Sequence, residues 1–285
     1  MDKKLSLFEL LEFSTVRLET IDAEGKLWAS SGFFYTVSRS DNPNLGQVFI
    51  VTNRHAVEGM EKITFCMSKR GKDGEPVYEK PLRHEIALQS IDVIYLEDKT
   101  IDICAIPITI FINIRQQTGA QIYYQSLSED LILTEEDAKN LDAVENIVMI
   151  GYPNGLWDEE HNIPLIRKGI TSTPVYLDFN GKPEFMIDAA CFQGSSGSPV
   201  LICDLGQHRD KYGTIMVGGN RLKLLGVLYS APVINMKGEL VIESKPEQTT
   251  EIKPNTRIPV NIGKVVNYKA LRMLTERIRK QCKLY

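Results

Sequence analysis

The chain has 285 residues, 43% hydrophobic and 25% charged, with a net charge of −4. That length can bury a substantial core in one large or two modest domains, and the slightly acidic balance excludes a broad basic face for nucleic acid. No apolar run approaches the roughly 20 residues that span a bilayer, so no membrane helix is expected.

The first residues, MDKKLSLFELLEF, lack a continuous apolar stretch because Glu9 and Glu12 interrupt it, so no leader peptide is expected. Ser6 and Glu9 form a capping-box pattern that opens a short helix. Short strands follow: STVRLETI, GKLWASSGFFYTV, QVFIVTN, KITFCMSK, HEIALQS, IDVIYLE and IDICAIPI. They are rich in Val, Ile, Phe, Tyr and Thr, with polar breaks between them, which is the pattern of a β-barrel or sandwich.

The character changes near residue 115. TEEDAKNLD has no β-branched centre, and Thr134 with Asp137 marks a helix start. Residues 116–143 therefore read as a connection between a unit over 1–115 and a second over 144–262. In the second unit strands resume with NIVMIGYP, IRKGITSTPV, EFMIDAACF, GSPVLICD, LKLLGVLYSA and IPVNIGKVV. The stretches 205–220 and 236–257 read as its longest irregular segments. Over 263–285, Leu271, Leu274, Ile278 and Cys282 share one stripe at helical spacing, predicting an amphipathic C-terminal helix packed on the second unit.

The five cysteines include no C-x-x-C pair, and most sit in apolar runs such as IDICAIPI and VLICD. Reduced, buried thiols in a cytoplasmic protein are the expectation. HEIAL begins like a zinc helix, but Leu88 stands where the second histidine would be. With four histidines in all, no zinc spacing and no phosphate-binding G-x-x-x-x-G-K pattern, neither a metal nor a cofactor is expected.

The segment CFQGSSGSPV, from Cys191 to Val200, reads either as a surface loop or as a rigid turn that presents one serine hydroxyl. A G-x-S-x-G elbow centred on Ser196 would need Gly at 198, where Ser stands, and a later histidine; only His208 follows, in a polar stretch. The alternative order is histidine, aspartate, serine. IVTNRHAVEG offers His55, TIDICAIPI offers Asp102, and GSSGSPV offers Ser196. Asp92, in IDVI, competes for the acid's place. His and Asp then lie in the first unit and Ser in the second, so a site at the cleft between them follows.

In sequence order, SSGFFY, TNRHAV, DICAI, MIGYPNG, RKGITSTP, IDAACFQGSSGSPV and VNIGKVV resemble the motifs of the trypsin-like (chymotrypsin-fold) serine peptidases. The likeness is closer to the bacterial intracellular branch and the HtrA type than to secreted trypsins, without the PDZ domain of the HtrA type. It implies an all-β fold of two six-stranded antiparallel β-barrels with a C-terminal α-helix. It implies a serine endopeptidase in which Ser196 attacks the scissile carbonyl, His55 moves the proton and Asp102 holds the imidazole. Backbone N–H groups of Gly194 and Ser196 would form the oxyanion hole. Ser198 stands where the family has a second glycine. Ser195 occupies the place of an Asp or Asn, so activation by a freed N-terminus is not expected.

The resemblance also assigns a substrate pocket to Ala190, Cys191, Gln193, Tyr229, Ser230 and Ala231. Ala190 stands where trypsins carry the Asp that selects basic residues, so an uncharged P1 residue is expected; Asp188 reads as structural. The expected partners are a protein or peptide substrate and a regulatory protein, with no nucleic acid and no membrane. The competing reading is a catalytically silent or conditionally activated peptidase fold that serves as a protein-binding module.

Overall fold

The structure is a computed structural model that describes residues 5–43, 45–119, 121–230, 233–237, 255–259 and 261–285, the backbone alone for 233–237 and 255–259. Helix α1 (Leu7–Glu12) opens the chain, and the Ser6–Glu9 capping box forms in both directions. Seven strands follow: β1 (Thr15–Asp22), β2 (Leu27–Ser38), β3 (Gly46–Thr52), β4 (Met60–Arg70), β5 (Pro76–Ala87), β6 (Ile94–Tyr95) and β7 (Cys104–Pro107). They hydrogen-bond in the order β5-β4-β1-β2-β3-β7-β6.

Helix α2 (Thr109–Gln117) ends the first unit and runs into the connection, which then adds two short strands to that sheet. β8 (Ile122–Tyr123) pairs with β4, and β9 (Leu127–Ser128) lies parallel to β2. The first sheet therefore has nine strands. Helix α3 (Glu135–Asn140) follows, with Thr134 and Asp137 capping each other.

The second unit is a closed barrel of six strands. In chain order these are β10 (Asn146–Gly151), β11 (Leu165–Thr171), β12 (Glu184–Ala189), β13 (Pro199–Asp204), β16 (Arg221–Ser230) and β19 (Ile262–Asn267). Closure leaves no free edge, which suits strands this short. Within 205–220, read as irregular, strands β14 (Gln207–Arg209) and β15 (Ile215–Val217) form a hairpin. Ile215, Met216 and Val217 are all exposed, so no alternation marked it. Strands β17 (Val233–Lys237) and β18 (Asn255–Pro259) also pair, and the rest of 236–257 lies outside the described residues.

The two units share a core. Phe33, Tyr35, Phe49 and Ile103 of the first pack in one buried cluster with Leu201, Leu225 and Val265 of the second. Helix α4 (Tyr268–Cys282) buries Leu271, Leu274 and Ile278 in it, each worth about 1.5–3 kcal/mol. The helix packs on both units rather than on the second alone. Thr275 Oγ1 meets Tyr35 Oη at 2.7 Å, and Arg277 pairs with Glu97. The five cysteines are all free thiols.

Candidate active site

The first half of the site begins where β3 ends. After Thr52 the chain enters a single tight turn, Arg54–Ala56, that carries His55. Arg54 anchors the turn. Its guanidinium takes both Glu58 oxygens (2.8 and 2.7 Å), donates to Leu96 O and lies over the Tyr95 ring. Asn53 Nδ2 donates to Asp102 O at 2.8 Å. Two consecutive side chains thus tie the His55 turn to the segment that leads into β7.

Asp102 lies just before β7 rather than within it, so its carboxylate is free to turn back. Oδ1 accepts from the His55 backbone N–H at 3.0 Å, and Oδ2 meets His55 Nδ1 at 2.5 Å. The imidazole side chain is 53% exposed and the carboxylate 20%. Bonding through Nδ1 leaves Nε2 as the ring's outward nitrogen. Asp92 is exposed, and it is Asp102 that His55 meets.

The second half is the loop between β12 and β13. Its shape is set by what holds its carbonyls. Asn154 N–H donates to Gln193 O at 2.5 Å. Asn154 can do so because the YPNG turn places it in the left-handed region (φ 53), which Asn tolerates. A trans peptide points its C=O and N–H in opposite directions, so Gly194 N–H faces away from that turn. Ser195 O accepts from Ser198 N–H at 3.0 Å, which turns Ser196 N–H outward in the same way. Neither Gly194 N–H nor Ser196 N–H donates to another described residue.

Ser31, of β2, reaches the loop from the other unit. Its N–H donates to Ser196 O (2.7 Å), its Oγ donates to Gly194 O (2.9 Å), and Tyr152 N–H donates to that Oγ (3.0 Å). Thr52 Oγ1 in turn donates to Ser31 O at 2.7 Å. This close approach explains two glycines. A Cβ on Gly197 would stand 1.8 Å from Ser31 O, and one on Gly194 2.7 Å from Tyr152 O. Both also have positive φ, 89 and 83. Ser198, fully buried, is accommodated because Gly151 opposite it has no side chain; a Cβ there would lie 2.0 Å from Ser198 Oγ.

Ser196 Oγ donates to Tyr229 O at 3.3 Å, and no hydrogen bond joins it to His55. Of the residues expected to wall a pocket, Ala190, Tyr229 and Ser230 are half-buried and Gln193 is exposed. Cys191 is buried, and burial pushes its thiol up to about 11, so it is a neutral packing group and no rival nucleophile. Ala231 lies outside the described residues. Asp188 is exposed. Among the described residues no cluster of His, Cys, Asp or Glu could hold a metal ion.

Sequence reasoning did not single out Ser31, Asn154 or Arg167, whose Nη1 donates to Ala190 O and Ser195 Oγ. Each acts on a backbone carbonyl or a neighbouring hydroxyl across the fold, and no local pattern signals that. Arg167 carries the faintest mark, a charge at an inward position of a barrel strand.

Two β units, one supplying a paired His and Asp and the other a serine loop with two outward amides, are an arrangement suited to acyl transfer. The model of the trypsin-like peptidase domain matches residues 30–207, which include His55, Asp102 and Ser196, and the chain belongs to that family. Similar solved structures include the active form of the Rv3671c protease from M. tuberculosis, at 16% identity and a TM-score of 0.45, covering 94% of this chain and 81% of that one. The HtrA-type protease AlgW with tripeptide is 14% identical at a TM-score of 0.45, over 95% of this chain and 62% of that one. Deg5 is 16% identical at 0.44, over 79% and 82%. At these values the likenesses are distant. No curated protein matches the chain.

Proposed function

We propose that this peptidase-family chain is a serine endopeptidase acting through an acyl-enzyme, with Ser196 as nucleophile, His55 as general base and acid, and Asp102 as the partner of His55. The observation that carries the reading is the bonding of His55 Nδ1 to Asp102, which reserves Nε2 for a proton, together with the outward amides of Gly194 and Ser196. Ser196 Oγ would lose its proton to Nε2 as it attacks the substrate carbonyl, and the oxyanion would be received by those two N–H groups. Nε2 would then give the proton to the leaving amine, and water would repeat the sequence on the ester.

For this to happen the Ser196 hydroxyl must leave Tyr229 O and turn toward His55. Rotation about χ1 is the torsion that moves a serine hydroxyl oxygen. A substrate whose own N–H takes Tyr229 O would release it. The same observation favours a second reading, a fold silent until a partner or substrate makes that turn. The pocket is proposed to take an uncharged P1 side chain, since Ala190 and the neutral Cys191 bring no carboxylate to its wall.

A fluorophosphonate probe applied to the wild type, Ser196→Ala and His55→Ala tests this. Labelling of the wild type alone is expected. No labelling of the wild type, with or without substrate peptide or cell lysate, removes the active-enzyme reading. Labelling that survives in Ser196→Ala removes the assignment of the nucleophile.

A further inference from the structure

Among the described residues Arg167 has no counter-charge. It shares a face of β11 with Gly169, which pairs with buried Ala189 of β12, whereas its neighbour Lys168 is exposed, so the side chain lies on the face turned into the barrel. Nη1 donates to Ala190 O at 2.6 Å and to Ser195 Oγ at 2.8 Å. Nε and Nη2 are buried with no hydrogen-bond partner among the described residues. Burial pulls the guanidinium down to about 10, so it is still charged at neutral pH.

Stability alone does not account for this residue. A cation taken out of water without a carboxylate is costly, and an apolar side chain of similar length in its place is commonly neutral or stabilising. What Arg167 does is local. One nitrogen joins the two ends of the turn from Ala190 to Ser195, and Phe192 N–H also donates to Ser195 Oγ, at 3.4 Å. Midway along the same turn, Gln193 O is held by Asn154 N–H. These three points, together with the Ser31 bond to Gly194 O, constrain the tilt of the peptide between Gln193 and Gly194. Without the Arg167 point, Ser195 Oγ keeps only its long bond from Phe192, Ala190 O loses its donor, and the start of the turn is looser while the Asn154 and Ser31 contacts remain.

We propose that Arg167 is a positioning residue for the nucleophile loop. Its guanidinium fixes the Ala190–Ser195 turn so that Gly194 N–H stays directed at the substrate oxyanion. This rests on the serine-peptidase reading only for its catalytic consequence; the tether itself is a statement about the loop. A lysine cannot replace it fully, because its ammonium sits on a shorter, flexible stem and is the more strongly hydrated cation, so it costs more to hold at the same two buried acceptors.

The test compares wild type, Arg167→Met, Arg167→Lys and Ser195→Ala, each first shown to be folded by its thermal transition. Arg167→Met should lower kcat and the rate of fluorophosphonate labelling roughly tenfold to a hundredfold, less than the loss of a whole oxyanion donor, with KM little changed. Arg167→Lys should fall between the two, and Ser195→Ala combined with Arg167→Met should cost little more than Arg167→Met alone. Amide hydrogen exchange over residues 190–198 should be roughly tenfold faster in Arg167→Met, while exchange in β10 and β13 is unchanged. A folded Arg167→Met with wild-type labelling and exchange overturns the proposal and leaves the peptidase reading intact. Faster exchange in a protein whose wild type never labels keeps the tether and removes the peptidase reading. A wild type that prefers acidic P1 residues, with that preference lost in Arg167→Met, would mean that the charge faces substrate, which also overturns it.

Discussion

The two halves of the site are built by different means. The His55 half is held by side chains: Asn53, Arg54 and Glu58 fasten the turn, and Asp102 meets the ring directly. The Ser196 half is held by its backbone carbonyls, gripped by Ser31, Asn154 and Arg167 from three other strands or turns. On the proposed mechanism the difference follows from what each half must present. A base needs one oriented ring, which a single carboxylate can supply. An oxyanion hole needs two backbone N–H groups aimed together, and a peptide is aimed only by fixing the carbonyl at its other side.

The sharpest way to break the contrast is at the carboxylate. Asp102→Asn should lower kcat by about 10⁴-fold, because the amide would favour the wrong imidazole tautomer, while the fold stays intact. Asp92→Asn, at the competing aspartate, should leave kcat unchanged. Steady-state kinetics on one peptide substrate decide between them, and the opposite ranking would unseat Asp102.

A smaller effect is expected at the loop. Ser31→Ala removes the Oγ bridge between Tyr152 N–H and Gly194 O but keeps the Ser31 backbone bond to Ser196 O. We expect kcat to fall roughly tenfold and stability to drop by about 1–3 kcal/mol, since both groups are left buried. Urea unfolding and labelling rate measure the two together. A stability loss with an unchanged labelling rate would mean that the bridge supports the interface and not the amide geometry.

The smallest effect on activity should come from the first unit's own core. His84 is 3% exposed, packed edge-on to Phe111 and tilted on Phe65, with neither ring nitrogen hydrogen-bonded. Burial first, and the nearby Arg115 cation second, push its pKa from the usual 6.5 down to about 4. The unfolded chain therefore takes up a proton below about pH 6.5 that the folded chain refuses until about pH 4. Stability is unaffected above that window and is lost as pH falls through it, by at most about 3 kcal/mol at 1.36 kcal/mol per unit. Urea unfolding at pH 7.5 and 4.5 should show this drop in the wild type and a smaller one in His84→Phe, with activity at neutral pH unaltered. An equal drop in both would rule the histidine out as its source.

Much of this protein was legible in its sequence because the relevant signals are local. The capping boxes at Ser6 and Thr134 form as their residue types require. TNRHAV and GSSGSPV pointed to His55 and the serine loop, and short runs rich in Val, Ile, Phe, Tyr and Thr marked most strands of both units. The exposed hairpin of β14 and β15 escaped because neither of its faces is buried. The addition of β8 and β9 to the first sheet escaped because two-residue strands have no period to read.

By itself the sequence determined which groups are available: an imidazole, a carboxylate and a serine between glycines, in an order that puts them on two β units. The resemblance of DICAI favoured Asp102 over Asp92, and the structure sets Asp102 against His55; only the tertiary structure decided that Ser31 and Arg167 hold the serine loop and that the Ser196 hydroxyl rests on Tyr229 O. Residue type and spacing constrain neighbours along the chain. The direction of a peptide N–H is set by whatever reaches its carbonyl, and here those groups arrive from strands far away in sequence.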